Sequence, residues 1–195
     1  MSPDYSHILK NLSKHISLTD EEADYFTSFL TEKQVKRKEV LLQAGQICRS
    51  INYVHSGVLR AFHIDPQGNE TSIMFAIPDW WVTDIYSFAT QNPAVMHIDA
   101  LRASEIFQLQ KIDLEKLFIE IPKFEKFFRI IMQNSYIREQ LRSIQNLSLT
   151  AEERYLNFIE KYPAFVQHIP QKQIASYIGI TPEFLSTIRQ KLRKG

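Results

Sequence analysis

The stretch from Gln171 to Gln190, QKQIASYIGITPEFLSTIRQ, fits a helix-turn-helix of twenty positions. A small residue is needed where the two helices cross, and Ala175 supplies it; a sharp turn is needed between them, and Gly179 supplies that. The buried positions of such a unit fall on Ile174, Ile178, Ile180, Leu185 and Ile188. Thr181 is a good N-cap, and Pro182 stands at the first helical position, where a missing N–H costs little. The second helix then turns Glu183, Ser186, Thr187 and Gln190 away from the Leu185/Ile188 stripe, within reach of base edges in a major groove. Thr181 and Pro182 open the same surface. Arg189, Lys191, Arg193 and Lys194 are placed for phosphates, Arg189 for either role.

Charge is distributed to match. From Ser148 onward seven Lys/Arg face four Glu, giving +3, so the remainder of a chain with net charge +1 carries −2. A basic cluster gains meaning only when a fold sets it beside phosphates, and a helix-turn-helix does that.

N-terminal to this unit, Thr150-Ala151-Glu152-Glu153 has the form of a capping box and begins a helix that Tyr162-Pro163 ends. Between Lys123 and Leu147 there is neither Gly nor Pro, and Phe127, Ile130, Ile137, Leu141 and Ile144 recur at steps of three and four, with Asn134 in the one gap. That spacing predicts a helix offering a seam to a second copy, its polar position fixing register. The expected homodimer contact is therefore Phe127, Ile130, Asn134, Ile137, Leu141 and Ile144, although Phe124, Phe127 and Phe128 also suit packing on the helix's own domain. A second capping box, Thr19 to Glu22, opens a helix near the start. From Lys36 to about Leu109 short runs rich in Val, Ile, Phe and Tyr are broken by Gly45, Gly57, Pro66-Gln67-Gly68 and Pro78-Asp79, which predicts a β-roll or sandwich.

The composition, 44% hydrophobic and 23% charged over 195 residues, is that of an ordinary folded protein. Cys48 is the single cysteine, so one chain holds no disulfide and no cysteine-ligated zinc or iron–sulfur cluster. Met1–His7 has no basic region followed by an apolar stretch, and Pro78 and Asp79 interrupt the most hydrophobic segment; a cytoplasmic protein with no membrane span is expected. No hydrolase, phosphate-loop or zinc-protease motif occurs, and His55, His63 and Glu70 lack the spacing of a metal-dependent cupin. No catalytic residue, metal or cofactor is expected.

With these motifs in place the chain resembles the Crp/Fnr family of regulators over roughly residues 20–195. The resemblance also rests on Gly45, on the run Tyr53-Val54-His55-Ser56-Gly57-Val58-Leu59-Arg60, similar to the family's strand–glycine-turn–strand, and on Phe88 and Ala100–Leu109, which match the last strands of the roll. It implies an α+β chain in three parts: a cyclic-nucleotide-binding-like antiparallel β-roll with flanking helices (1–122), a dimerisation helix (123–147) and a winged-helix/helix-turn-helix unit (148–195). It implies a transcription regulator that binds double-stranded DNA as a homodimer, its half-sites about one helical turn apart. RNA polymerase and a small-molecule effector are further partners so implied.

Members that bind cyclic AMP carry a Phe-Gly-Glu stretch and an Arg-Ser or Arg-Thr pair. Here Thr83 and Asp84 replace the Gly and Glu, and Ala94 and Val95 stand at the Arg-Ser position. A buried phosphate without its cation is costly, so cyclic AMP is not the expected ligand. Asp84, Tyr86, Ser87 and His97 are the candidates for another effector's pocket. A ligand-sensing module with weak DNA binding is the alternative.

Overall fold

The computed structural model describes residues 3–194; Met1, Ser2 and Gly195, at the ends of the expected parts 1–122 and 148–195, and the Lys194 side chain lie outside the described residues. Two short helices, α1 (Ser6–Ser13) and α2 (Asp20–Ser28), lead into the strands. Thr19 and Glu22 form the expected capping box at α2: the Glu22 N–H donates to Thr19 Oγ1 (3.3 Å) and the Thr19 N–H to Glu22 Oε2 (2.8 Å).

Among the described residues eight strands make two antiparallel sheets. β1 (Leu30–Val35), β8 (Ser104–Gln110), β3 (Ser50–Ser56) and β6 (Trp81–Val82) are neighbours in one sheet. β2 (Val40–Leu42), β7 (His97–Ala100), β4 (Leu59–Ile64) and β5 (Glu70–Ala76) are neighbours in the other. The two sheets and the helices that cover them bury Ile51, Tyr53, Leu59, Ile98, Ile106 and Phe107. The result is the mixed helix and antiparallel β-roll expected from the alternation of short apolar runs and turn residues. Phe88 departs from expectation, for it lies in helix α3 (Ile85–Thr90), whose first amides are capped by Asp84, and not in a strand.

α4 (Lys111–Glu120) follows the roll, and α5 (Lys123–Ser148) is the long helix predicted from residues 123–147. Its first turns are anchored in the roll. Phe124 stacks on Phe26 at 5.0 Å between centroids, and Phe127 and Phe128 meet Trp81 edge-on at 5.9 and 5.6 Å. Phe127 is wholly buried and so belongs to the roll's core, which corrects its place in the dimer seam. Periodicity states that a face is apolar, not which neighbour covers it. Beyond it the seam is open: Ile137, Leu141 and Ile144 are 51, 46 and 53% exposed, with Asn134 exposed among them.

The C-terminal part consists of α6 (Ala151–Lys161), α7 (Pro163–His168), α8 (Gln171–Tyr177) and α9 (Pro182–Lys194). Among the described residues no strand follows β8, so the wing strands that the resemblance implied do not form within residues 148–194. Thr150 and Glu153 cap α6 reciprocally, and these bonds hold the Glu153 carboxyl below the usual range. Its core of Tyr155, Phe158, Phe165, Ile174, Leu185 and Ile188 is continuous with Val58 and Phe75 of the roll.

Polar contacts reinforce that junction. The Ser72 N–H donates to Ser176 Oγ (2.8 Å), whose hydroxyl donates to the Glu70 carbonyl (3.0 Å), and the Ser72 hydroxyl donates to Gln173 Oε1 (3.0 Å). Tyr177 packs on Phe75 at 5.4 Å, and its burial pushes the hydroxyl pKa up to about 12. The first helix of the helix-turn-helix thereby lies along β5, leaving the second free.

Candidate nucleic-acid interface

The bihelical unit is built as its spacing requires. Ala175 is fully buried at the crossing, and Gly179 takes φ +72°, a backbone geometry that a side chain would strain. Past this turn the Ile180 N–H donates to the Ala175 carbonyl (3.0 Å). The Phe184 N–H donates to Thr181 Oγ1 (3.2 Å) and the Leu185 N–H to the Thr181 carbonyl (3.0 Å), so α9 starts at Pro182 with its amides satisfied. Leu185 and Ile188 are buried on the inner side, worth about 1.5–3 kcal/mol each in apolar transfer.

The outer side is open. Thr181, Pro182, Glu183, Ser186, Thr187, Gln190, Lys191 and Arg193 are exposed and Arg189 is half-buried, all on one short helix and its cap. Besides Thr181, whose hydroxyl caps α9, two of these side chains are already engaged. Thr187 Oγ1 donates to the Glu183 carbonyl (3.2 Å), and Lys191 Nζ pairs with Glu152 Oε2 at 2.7 Å on the surface. Neither engagement is costly to exchange, since a back-bonded hydroxyl rotates and an exposed ion pair is worth roughly 0–1 kcal/mol.

Two residues escaped the sequence reading. Phe184 is 51% exposed beside Glu183, an apolar group able to meet a thymine methyl; the only signal for it was an aromatic off the buried stripe. Arg154, counted earlier only as a charge, braces the turn, its Nε donating to the Ile178 carbonyl (3.0 Å) and Nη1 to the Leu149 carbonyl (2.8 Å).

The four residues chosen for an effector pocket do not face a common space. Asp84 is fully buried and accepts from the backbone N–H groups of Ser87 (3.0 Å), Val95 (2.9 Å) and Met96 (3.2 Å). Ser87 Oγ accepts from the Cys48 N–H (2.8 Å) and donates to the Asn92 carbonyl (2.6 Å). Tyr86 is exposed, and His97 stacks on Phe62 at 5.1 Å. None of the four lines the large cleft of about 690 Å³ that lies between the roll, at Met74, Trp81 and Met96, and α5, at Ile131, Met132 and Asn134. Ala94, where cyclic-AMP binders carry arginine, is buried, with its backbone bonded to Gln46 and Gly45. Among the described residues no three His, Cys, Asp or Glu gather as a metal site, and no helix is long and apolar enough to cross a membrane.

Comparison with known proteins matches residues 32–120 to the cyclic nucleotide-binding domain. This segment runs from β1 to the end of α4 and takes in both sheets. Beyond the domain, the chain is 23% identical to the regulatory protein HlyX of Actinobacillus pleuropneumoniae, over 95% of this chain and 82% of that protein. It is 22% identical to the fumarate and nitrate reduction regulatory protein of Vibrio cholerae, over 91% and 75%. FixK2 of Bradyrhizobium japonicum shares the fold, with a TM-score of 0.75 at 14% identity over 85% of each chain. The Crp/Fnr likeness therefore spans the cyclic nucleotide-binding domain, the long helix and the helix-turn-helix together.

Proposed function

We infer that the chain is a sequence-specific DNA-binding transcription regulator of the Crp/Fnr type, acting as a homodimer with RNA polymerase as a further partner. The carrying observation is the free outer face of α9 on a capped and braced helix-turn-helix. The division into 1–122, 123–147 and 148–195 assigns sensing, pairing and DNA contact in turn. Thr181, Pro182, Glu183, Ser186, Thr187, Arg189, Gln190, Lys191 and Arg193 form the DNA surface. The named relatives, a regulatory protein and a fumarate and nitrate reduction regulatory protein, support regulation over an enzymatic role.

A fluorescence anisotropy titration with genomic fragments tests this reading. Affinity should fall steeply with salt, because each phosphate contact releases counterions. Arg189→Ala or Thr187→Ala should weaken site-specific binding by about 1–3 kcal/mol with little loss of stability. Unchanged affinity in both variants would take α9 out of the interface.

Pairing is assigned to half-buried Ile130 and exposed Asn134, Ile137, Leu141 and Ile144, whose 3–4 pattern offers a stripe for a second α5. Leu141→Asp is expected to weaken the dimer by about 2 kcal/mol and to shift the mass seen by light scattering toward the monomer. A wild-type chain that is monomeric at tens of micromolar contradicts the assignment.

Cyclic AMP is not the effector in this reading. Ala94 brings no charge to a phosphate, and the N–H groups of Val95 and Met96 are occupied by Asp84. The sensing alternative is favoured by the mainly apolar 690 Å³ cleft, large enough for a small molecule. Calorimetric titration with cyclic nucleotides and apolar metabolites distinguishes the two.

A further inference from the structure

A second cleft, of about 380 Å³, opens between the C-terminal half of α5, the helix α6 and the turn of the helix-turn-helix. Arg138, Arg142, Arg154 and Lys161 line it, against one carboxylate, Glu160. Among the described residues the only carboxylate paired with any of the four is Glu139, which bonds Arg138 (3.3 Å) and Arg142 (3.1 Å). Four cations on a concave wall focus a positive potential that isolated surface lysines do not.

The guanidinium groups are fixed in place. Arg142 donates Nη1 to the Ile73 carbonyl (2.6 Å) and Nη2 to the Ser72 carbonyl (3.2 Å), and its plane lies 4.2 Å over the Tyr177 ring. Arg154 is held by its two bonds to the Ile178 and Leu149 carbonyls. One donor is left over: Arg142 Nε is buried and has no partner among the described residues.

We propose that this cleft binds a small multiply charged phosphate, of the size of a nucleoside monophosphate or smaller. Fixed arginines suit phosphate oxygens, and the concave cleft suits one compact anion more than a duplex backbone, which the convex face of α9 meets better. Asn146 and Asn157 on the rim add neutral donors for a sugar or base. A bound anion would tie α5 to the turn that sets α9.

Isothermal titration of the full chain with pyrophosphate, and separately with adenosine monophosphate and uncharged adenosine, tests the site. A Kd of about 10–100 μM is expected for one of the two anions, with no heat from adenosine. Arg154→Gln and Lys161→Gln should each weaken it roughly tenfold; Lys161 is on the surface, so its variant remains informative if Arg154→Gln fails to fold. Arg193→Gln, on α9, should leave it unchanged. Silence up to about 10 mM, or equal weakening by Arg193→Gln, overturns the proposal, the second result placing the anion on the DNA face. The outcome is independent of whether specific DNA binding is found.

Discussion

Arg60→Ala is expected to destabilise the chain by about 3–5 kcal/mol, read by urea denaturation followed by circular dichroism. Arg60 lies on β4 with 3% of its surface exposed. It binds Asp99 with both Nε (3.0 Å) and Nη2 (2.7 Å), and its Nη1 donates to Glu70 Oε2 and Gln173 Oε1, both at 2.7 Å. Burial alone would lower its pKa, but the bonds and charges of Asp99 and Glu70 prevail and hold it raised. Truncation would leave Asp99, itself largely buried, as an unpaired charge and would remove one of the two bonds that Gln173 of α8 makes to the roll, the other being from the Ser72 hydroxyl. Charge neutralisation on both sides should be far milder: Arg60→Met with Asp99→Leu is expected to recover most of the loss. Glu70→Gln should cost less than about 1 kcal/mol, since Glu70 is half exposed. A loss below about 1 kcal/mol in Arg60→Ala would show that Asp99 does not depend on Arg60 to stay buried.

That network marks the boundary of what the sequence made legible. Rules confined to one turn of chain read well: the capping boxes at Thr19 and Thr150, Gly179 at positive φ, and Thr181-Pro182 opening α9 all formed, because each is decided by neighbours within four residues. Contacts across the chain were invisible. Gln173 and Ser176 carry no signal that they meet β5, a hundred residues away, and Arg60 passed as one residue of a strand. The same gap misplaced Phe127, for a helix can present one apolar line to two partners in succession. Likeness misled at Phe88, which the resemblance matched to a strand of the roll; the carboxylate of Asp84 caps a helix there instead. The wing, of which the described residues show no strand, was implied by likeness alone, with no run of residues to support it.

Asp84 carries the second large effect. Asp84→Ala is expected to cost about 3–5 kcal/mol, because three backbone N–H groups lose a charged acceptor where water does not replace it. Those groups, at Ser87, Val95 and Met96, draw the start of α3 and the entry to β7 together around one wholly buried carboxylate. The loop is of the kind that could hold a bound anion, and this chain fills it with an anion of its own. Asp84→Asn should lose about 1–3 kcal/mol, as an amide offers one acceptor and turns its NH2 toward a donor. If the carboxylate stands in for a ligand, the empty loop of Asp84→Ala should accept one: about 50 mM sulfate should raise its Tm more than that of the wild type, since amides at a helix start bind anions. Millimolar cyclic AMP should leave the wild-type Tm unmoved. A variant as stable as the wild type, or equal sulfate effects on both, would mean that the loop holds its shape without the charge at its centre.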